Sequence, residues 1–151
     1  MIQPIAAGIV SGLIATAVMT LWMMVLQEAI PTERHRRLPP GDVAMGVAQK
    51  TGIAGKMDEP AKKAAIGISH FGFGIAASLL YALLFGPFQY LNVWSGILFG
   101  SLIYLISYTG WIPLFRIMPF PTEMTGGRNF ILISSHLLWG AVLGSAAQRL
   151  I

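Results

Sequence analysis

Cysteine is absent from the 151 residues, which excludes disulfides, thiolate metal centres and cysteine nucleophiles. Charge is nearly as scarce. Asp, Glu, Lys and Arg make up 11% of the chain, less than half the share that a water-soluble domain carries. Enzyme signatures are also missing: there is no Gly-rich phosphate loop, no His-Glu-x-x-His, no Gly-x-Ser-x-Gly and no pair of carboxylates inside an apolar segment. The residues read as those of a non-enzyme, without the polar equipment of an intramembrane hydrolase or lipid transferase.

Apolar residues fill this space, at 55% of the chain with a mean hydropathy of +0.68. They fall into long blocks, and the charges lie almost entirely between them. Residues 5–26 carry no charge and are long enough, at 1.5 Å per helical residue, to cross a hydrocarbon core of roughly 30 Å. Residues 64–115 are again uncharged but too long for one crossing, and Gly86-Pro87 with Gln89 and Asn92 marks a break. Spans over 64–85 and 93–115 follow, and a shorter one over 130–147 closes the chain. This predicts one transmembrane domain over 1–151, an all-α integral membrane four-helix bundle. Met1-Ile2-Gln3-Pro4 lacks the basic region of a signal peptide, so the first block reads as a retained span.

The net charge is +4, and its basic residues sit beside membrane segments rather than among exposed aromatics. They point to anionic lipid headgroups and away from nucleic acid. Arg34, Arg36, Arg37, Lys50, Lys56, Lys62 and Lys63 lie in the first loop, 27–63, and Arg116 and Arg128 in the third. An excess of Lys and Arg marks cytoplasmic loops, so both termini are expected outside the cytoplasm. Within the first loop, Pro39-Pro40-Gly41-Asp42 reads as a stop followed by a helix N-cap. Residues 43–51 then form either a short helix on the membrane surface or part of a mobile loop.

Three motifs recur in order. Ser11-Gly12 resembles Ser95-Gly96, Pro31-Thr32-Glu33 resembles Pro121-Thr122-Glu123, and Ser69-His70 with Gly74 resembles Ser135-His136 with Gly140. They suggest a tandem two-plus-two helix repeat about an axis along the membrane normal, although the spacings between them differ.

Gly8 and Gly12, Gly96 and Gly100, and Gly140 and Gly144 each stand four residues apart, and Gly74 shares a face with His70. This spacing lets helix backbones approach closely, inside one bundle, in a homo-oligomer or against other subunits of a larger membrane complex. His70 and His136 are the ionisable residues placed within the apolar spans, at matching depth. Either they are neutral imidazoles bonded to Ser69, Ser134, Ser135 or a backbone carbonyl, or they ligate one tetrapyrrole, haem or chlorin, from opposite faces. No carboxylate or thiol at that depth completes a mononuclear metal site. Glu33 and Glu123 each follow a proline. They pair either with Arg34, Arg116 or Arg128, or with the histidines in a proton or cation path. Arg34, Arg36, Arg37, Lys62 and Lys63 are read as headgroup contacts. Tyr90 and Trp94 read as interfacial anchors, and no aromatic is assigned to a ligand.

The small-residue first span leading to Pro39-Pro40, the run Trp94-Ser95-Gly96-Ile97-Leu98-Phe99-Gly100 and the run Ser135-His136-Leu137-Leu138-Trp139 resemble the YagU-like multi-pass inner-membrane proteins of bacteria. The chain departs from that pattern in Ser69 and Ser135, where those proteins carry glycine before histidine. The resemblance implies a bacterial cytoplasmic (inner) membrane location and brings no substrate or reaction. Three roles stay open: a structural or accessory subunit packed through its glycine faces, a tetrapyrrole-binding protein, and a conduit for protons or a small solute.

Overall fold

In the computed structural model, which describes residues 2–150, the chain is all helical. It forms α1 (Ile2–Ala29), α2 (Pro39–Lys50), α3 (Glu59–Phe85), α4 (Val93–Tyr104), α5 (Ile112–Leu114) and α6 (Gly126–Leu150), with no strand among the described residues. Four stretches are long and apolar enough to cross a membrane: Ile5–Ala29, Glu59–Phe88, Val93–Leu114 and Gly126–Leu150. Their outer surfaces carry Leu21, Val25, Ile68, Leu83 and Ile106, all well exposed, as expected of helices solvated by lipid.

The helix ends show how short polar side chains replace missing backbone partners. Asp58 Oδ1 accepts the Ala61 N–H at 2.9 Å and starts α3. Asn92, which reads as a loop residue in the sequence, accepts the N–H groups of Trp94 and Ser95, and Ser95 returns a bond to the Asn92 N–H. This capping box starts α4. Thr125 Oγ1 accepts the Arg128 N–H at 3.2 Å, so α6 begins at Gly126 instead of residue 130. Similarly, α2 begins at Pro39 instead of residue 43. The two prolines occupy its first turn, where a missing N–H costs nothing, and do not act as a stop.

The third span is not a uniform helix. Residues Leu105–Trp111 form a π-helical segment between α4 and α5, with Gly110 at φ −112° and ψ −109°. Pro113 contributes the cause, because it has no N–H to donate to the carbonyl four residues earlier.

α1 lies between α3 and α6, and α4 packs on the far side of α6, while α3 and α4 meet only sparsely. The order α3–α1–α6–α4 therefore leaves an opening between the outer two helices. Met19, Met23, Tyr81, Phe99, Trp139 and Leu143 fill the centre. At the end of the bundle that bears α2, that helix buries Pro39, Met45 and Ala48 and packs on α3. The segment is thus a helix and no loose loop, and it caps that end of the bundle.

Candidate functional site

The opening contains an apolar cavity of about 300 Å³. Met19 and Met23 of α1, Phe73 of α3, and Leu132 and Trp139 of α6 form its walls. Val43 and Val47 of α2 cover one side, and Ser107, Tyr108 and Trp111 enter from the π-helical segment. The wider turn there places Ser107 and Tyr108, both buried, against the cavity. No charged residue among the described ones lines it.

His70 and His136 both line this one cavity. Nε2 of His70 lies 3.1 Å from the Thr20 hydroxyl, which donates to the Thr16 carbonyl at 2.7 Å. Nδ1 of His136 lies 2.8 Å from the Leu132 carbonyl. The serines expected as partners are engaged elsewhere or unpaired: Ser69 donates to the Ile66 carbonyl, Ser134 accepts from Trp22, and Ser135 Oγ is buried without a partner. The rings of Tyr104 and Tyr108 stand edge-on to His136, each with its centroid 5.6 Å away. Trp139 donates to Thr16 Oγ1 at 3.2 Å, which fixes the indole in the wall.

Thr20, Tyr104, Ser107 and Tyr108 escape a reading of the sequence alone, since each looks like an ordinary span residue. Gly110 followed by Pro113 is the one local signal that the helix widens beside them.

Glu33 and Glu123 do not join the histidines. The Glu33 carboxylate is fully buried and accepts the Thr125 hydroxyl at 2.5 Å. Its other oxygen stands 3.9 Å from the guanidinium groups of both Arg36 and Arg128. Arg128 in turn pairs with Asp42 of α2 and donates to the Arg37 carbonyl at 2.9 Å. This knot ties the turn after α1, the start of α2 and the first turn of α6 together. Burial pushes the Asp42 carboxyl above its ordinary value, against the pull of Arg128, Arg37 and Arg36. Glu123 Oε2 accepts the Phe120 N–H at 3.3 Å, beside a separate depression that Arg36, Arg37 and Gln49 also line. Neither glutamate lines the cavity that holds the histidines: Glu33 lies beside Arg36 and Arg128, and Glu123 borders a different space.

The other basic side chains lie at the surface: Arg34 bonds back to Glu28, Lys62 pairs with Glu59 at 2.7 Å, Lys63 is exposed, and Arg37, whose carbonyl joins the knot, has an exposed side chain.

The glycine faces are occupied within the chain. A Cβ on Gly8 would lie 3.1 Å from Leu79, and one on Gly12 2.7 Å from Ser78 Oγ. A Cβ on Gly74 would meet Thr16, and Gly96 and Gly100 of α4 face Gly140 and Gly144 of α6. The faces that could have met another protomer or subunit are filled by the chain's own helices, because only glycine admits backbones this close.

The sequence profile of a family described as a protein of unknown function (DUF1440), which is the family of the YagU-like proteins, matches residues 9–144. No curated protein and no solved structure matches the chain.

Proposed function

Because the chain belongs to the DUF1440 family, which brings no activity with it, its role has to be read from the cavity, and we propose that it binds a small apolar molecule drawn from the bilayer, without chemistry. The observation that carries this reading is that His70 and His136, on α3 and α6, converge on one uncharged cavity capped by α2. Ligand pockets combine an apolar lining with few polar groups in this way, often between the helices of a bundle.

Recurring helix contacts support a tandem repeat and, with it, the convergence. Gly12 meets Gly74 and Ser78 as Gly96 meets Gly140 and Gly144, and Thr16 meets Gly74 as Gly100 meets Gly140. One turn further, Thr20 holds His70 as Tyr104 touches His136. Two copies of one helix pair would then each contribute a histidine to a shared space.

Tetrapyrrole ligation by both histidines is less well served, since Thr20 already engages Nε2 of His70. Membership of the family supports a bacterial inner membrane, and the basic first loop supports extracytoplasmic termini with Arg34, Arg36, Arg37, Lys62 and Lys63 near anionic headgroups.

The test uses protein carrying Trp22→Phe and Trp94→Phe, which leaves Trp111 and Trp139 in the cavity wall as reporters. Titration with 1-bromooctane in detergent is expected to quench their fluorescence saturably, and Ala44→Leu, which fills the space under α2, is expected to weaken that saturable component. Quenching that rises linearly and identically in both proteins would reject a binding site.

A further inference from the structure

Taking the cavity as a binding site, we infer that its ligand carries a hydrogen-bond donor, an alcohol or phenol hydroxyl on an apolar body, which His136 Nε2 accepts. The reasoning is one of lone pairs. A neutral imidazole has one nitrogen that donates and one that accepts, and an imidazolium is disfavoured where no charged residue lines the space.

The Leu132 carbonyl can only accept, so Nδ1 of His136, at 2.8 Å, carries the ring hydrogen. That leaves Nε2 as a lone pair with no hydrogen bond from any of the described residues. The Thr20 hydroxyl spends its hydrogen on the Thr16 carbonyl, so at 3.1 Å from Nε2 of His70 it accepts. That makes Nδ1 of His70 a lone pair as well. Two helices thus set both imidazoles in tautomers whose uncommitted nitrogen accepts.

An ether or ketone would bring another lone pair to His136 Nε2. A hydroxyl brings its complement, and burying the acceptor unpaired is costly. Tyr104 and Tyr108, edge-on to the ring on the π-helical side, hold the imidazole in this orientation. Ser107 and Tyr108 in the same wall supply hydroxyls that either give or take a hydrogen bond, so the oxygen of the ligand can be satisfied too.

A matched pair of probes separates this from the binding proposal on which it rests. 4-Butylphenol and 4-butylanisole share their apolar body and differ in the donor. Each is competed against 1-bromooctane quenching in the Trp22→Phe, Trp94→Phe protein, at equal mole fraction in the micelle. The phenol is expected to compete about tenfold better, the equivalent of one hydrogen bond of ~1.4 kcal/mol, and His136→Phe is expected to bring the two probes level. Equal competition by both probes in the unsubstituted site overturns the donor requirement while leaving the cavity a binding site. Absence of saturable quenching overturns both. The comparison within the His136 protein decides the matter even where His136→Phe fails to fold.

Discussion

Removing Arg128 should destabilise this bundle more than removing any exposed charge, and the reason lies in what it leaves behind. Glu33 has no exposed side-chain surface, and the Arg128 side chain retains only 3%. In Arg128→Met the Glu33 carboxylate keeps the Thr125 hydroxyl and a guanidinium at 3.9 Å from Arg36, whose own side chain is about half exposed. Asp42 loses its partner at the same time. Breaking a buried pair from one side typically costs ~3–5 kcal/mol, and that is the expected loss here. Glu33→Gln keeps an acceptor for Thr125 and leaves Arg128 bonded to Asp42 and the Arg37 carbonyl, so its cost should be smaller, ~1–3 kcal/mol. The double variant removes both charges and should lose at least ~1 kcal/mol less than the sum of the single losses. The assay is reversible unfolding in mixed micelles of rising SDS mole fraction, followed by tryptophan fluorescence. Lys62→Ala, which opens the exposed pair with Glu59, serves as control and should leave the midpoint unchanged. Strictly additive losses would refute the coupling and with it the view that these two charges tie the turn after α1 to α6.

Two other outcomes are expected. A Cβ at Gly96 would stand 2.8 Å from the Gly144 nitrogen and 2.9 Å from its Cα, whereas one at Gly72 meets nothing within 4 Å. Gly96→Ala should therefore lower the unfolding midpoint by an equivalent of ~1–3 kcal/mol while Gly72→Ala holds or raises it. A Gly96→Ala protein as stable as Gly72→Ala would show that α4 and α6 are not in backbone contact. Because the chain has no cysteine, Gln89→Cys and Lys56→Cys each create a unique label site. A membrane-impermeant maleimide added outside intact cells should label the first and spare the second, and the reverse pattern would invert the proposed topology.

The spans were legible because a run such as residues 64–115 without charge has no stable form but a pair of membrane helices. Their ends were less so. Pro39-Pro40 and Gly126-Gly127 look like breaks, and both open helices, since prolines cost nothing in a first turn and Thr125 supplies the cap that starts α6. The two histidines announce themselves as polar groups in an apolar run. Their partners do not, because whether Thr20 or Tyr104 faces a given histidine depends on how four helices are arranged around one another. That arrangement rests on Gly96, Gly100, Gly140 and Gly144, whose spacing states that some backbone will come close but not which one.

Where the two halves differ is as informative as where they match. The helix contacts of the first pair, Gly12 and Thr16 with Gly74 and Ser78, have counterparts in the second, Gly96 and Gly100 with Gly140 and Gly144. The segments around the cavity differ. The first half has a long loop that folds as α2 and covers the cavity, and the second has a short connection and a π-helical turn that lines it. The histidines diverge in the same sense, one bonded to a side-chain hydroxyl and the other to a backbone carbonyl. The contacts that recur are those where helices touch, and the segments that differ are those that line the cavity. On the proposed reading, a ligand that is itself asymmetric accounts for differences concentrated around the one apolar space.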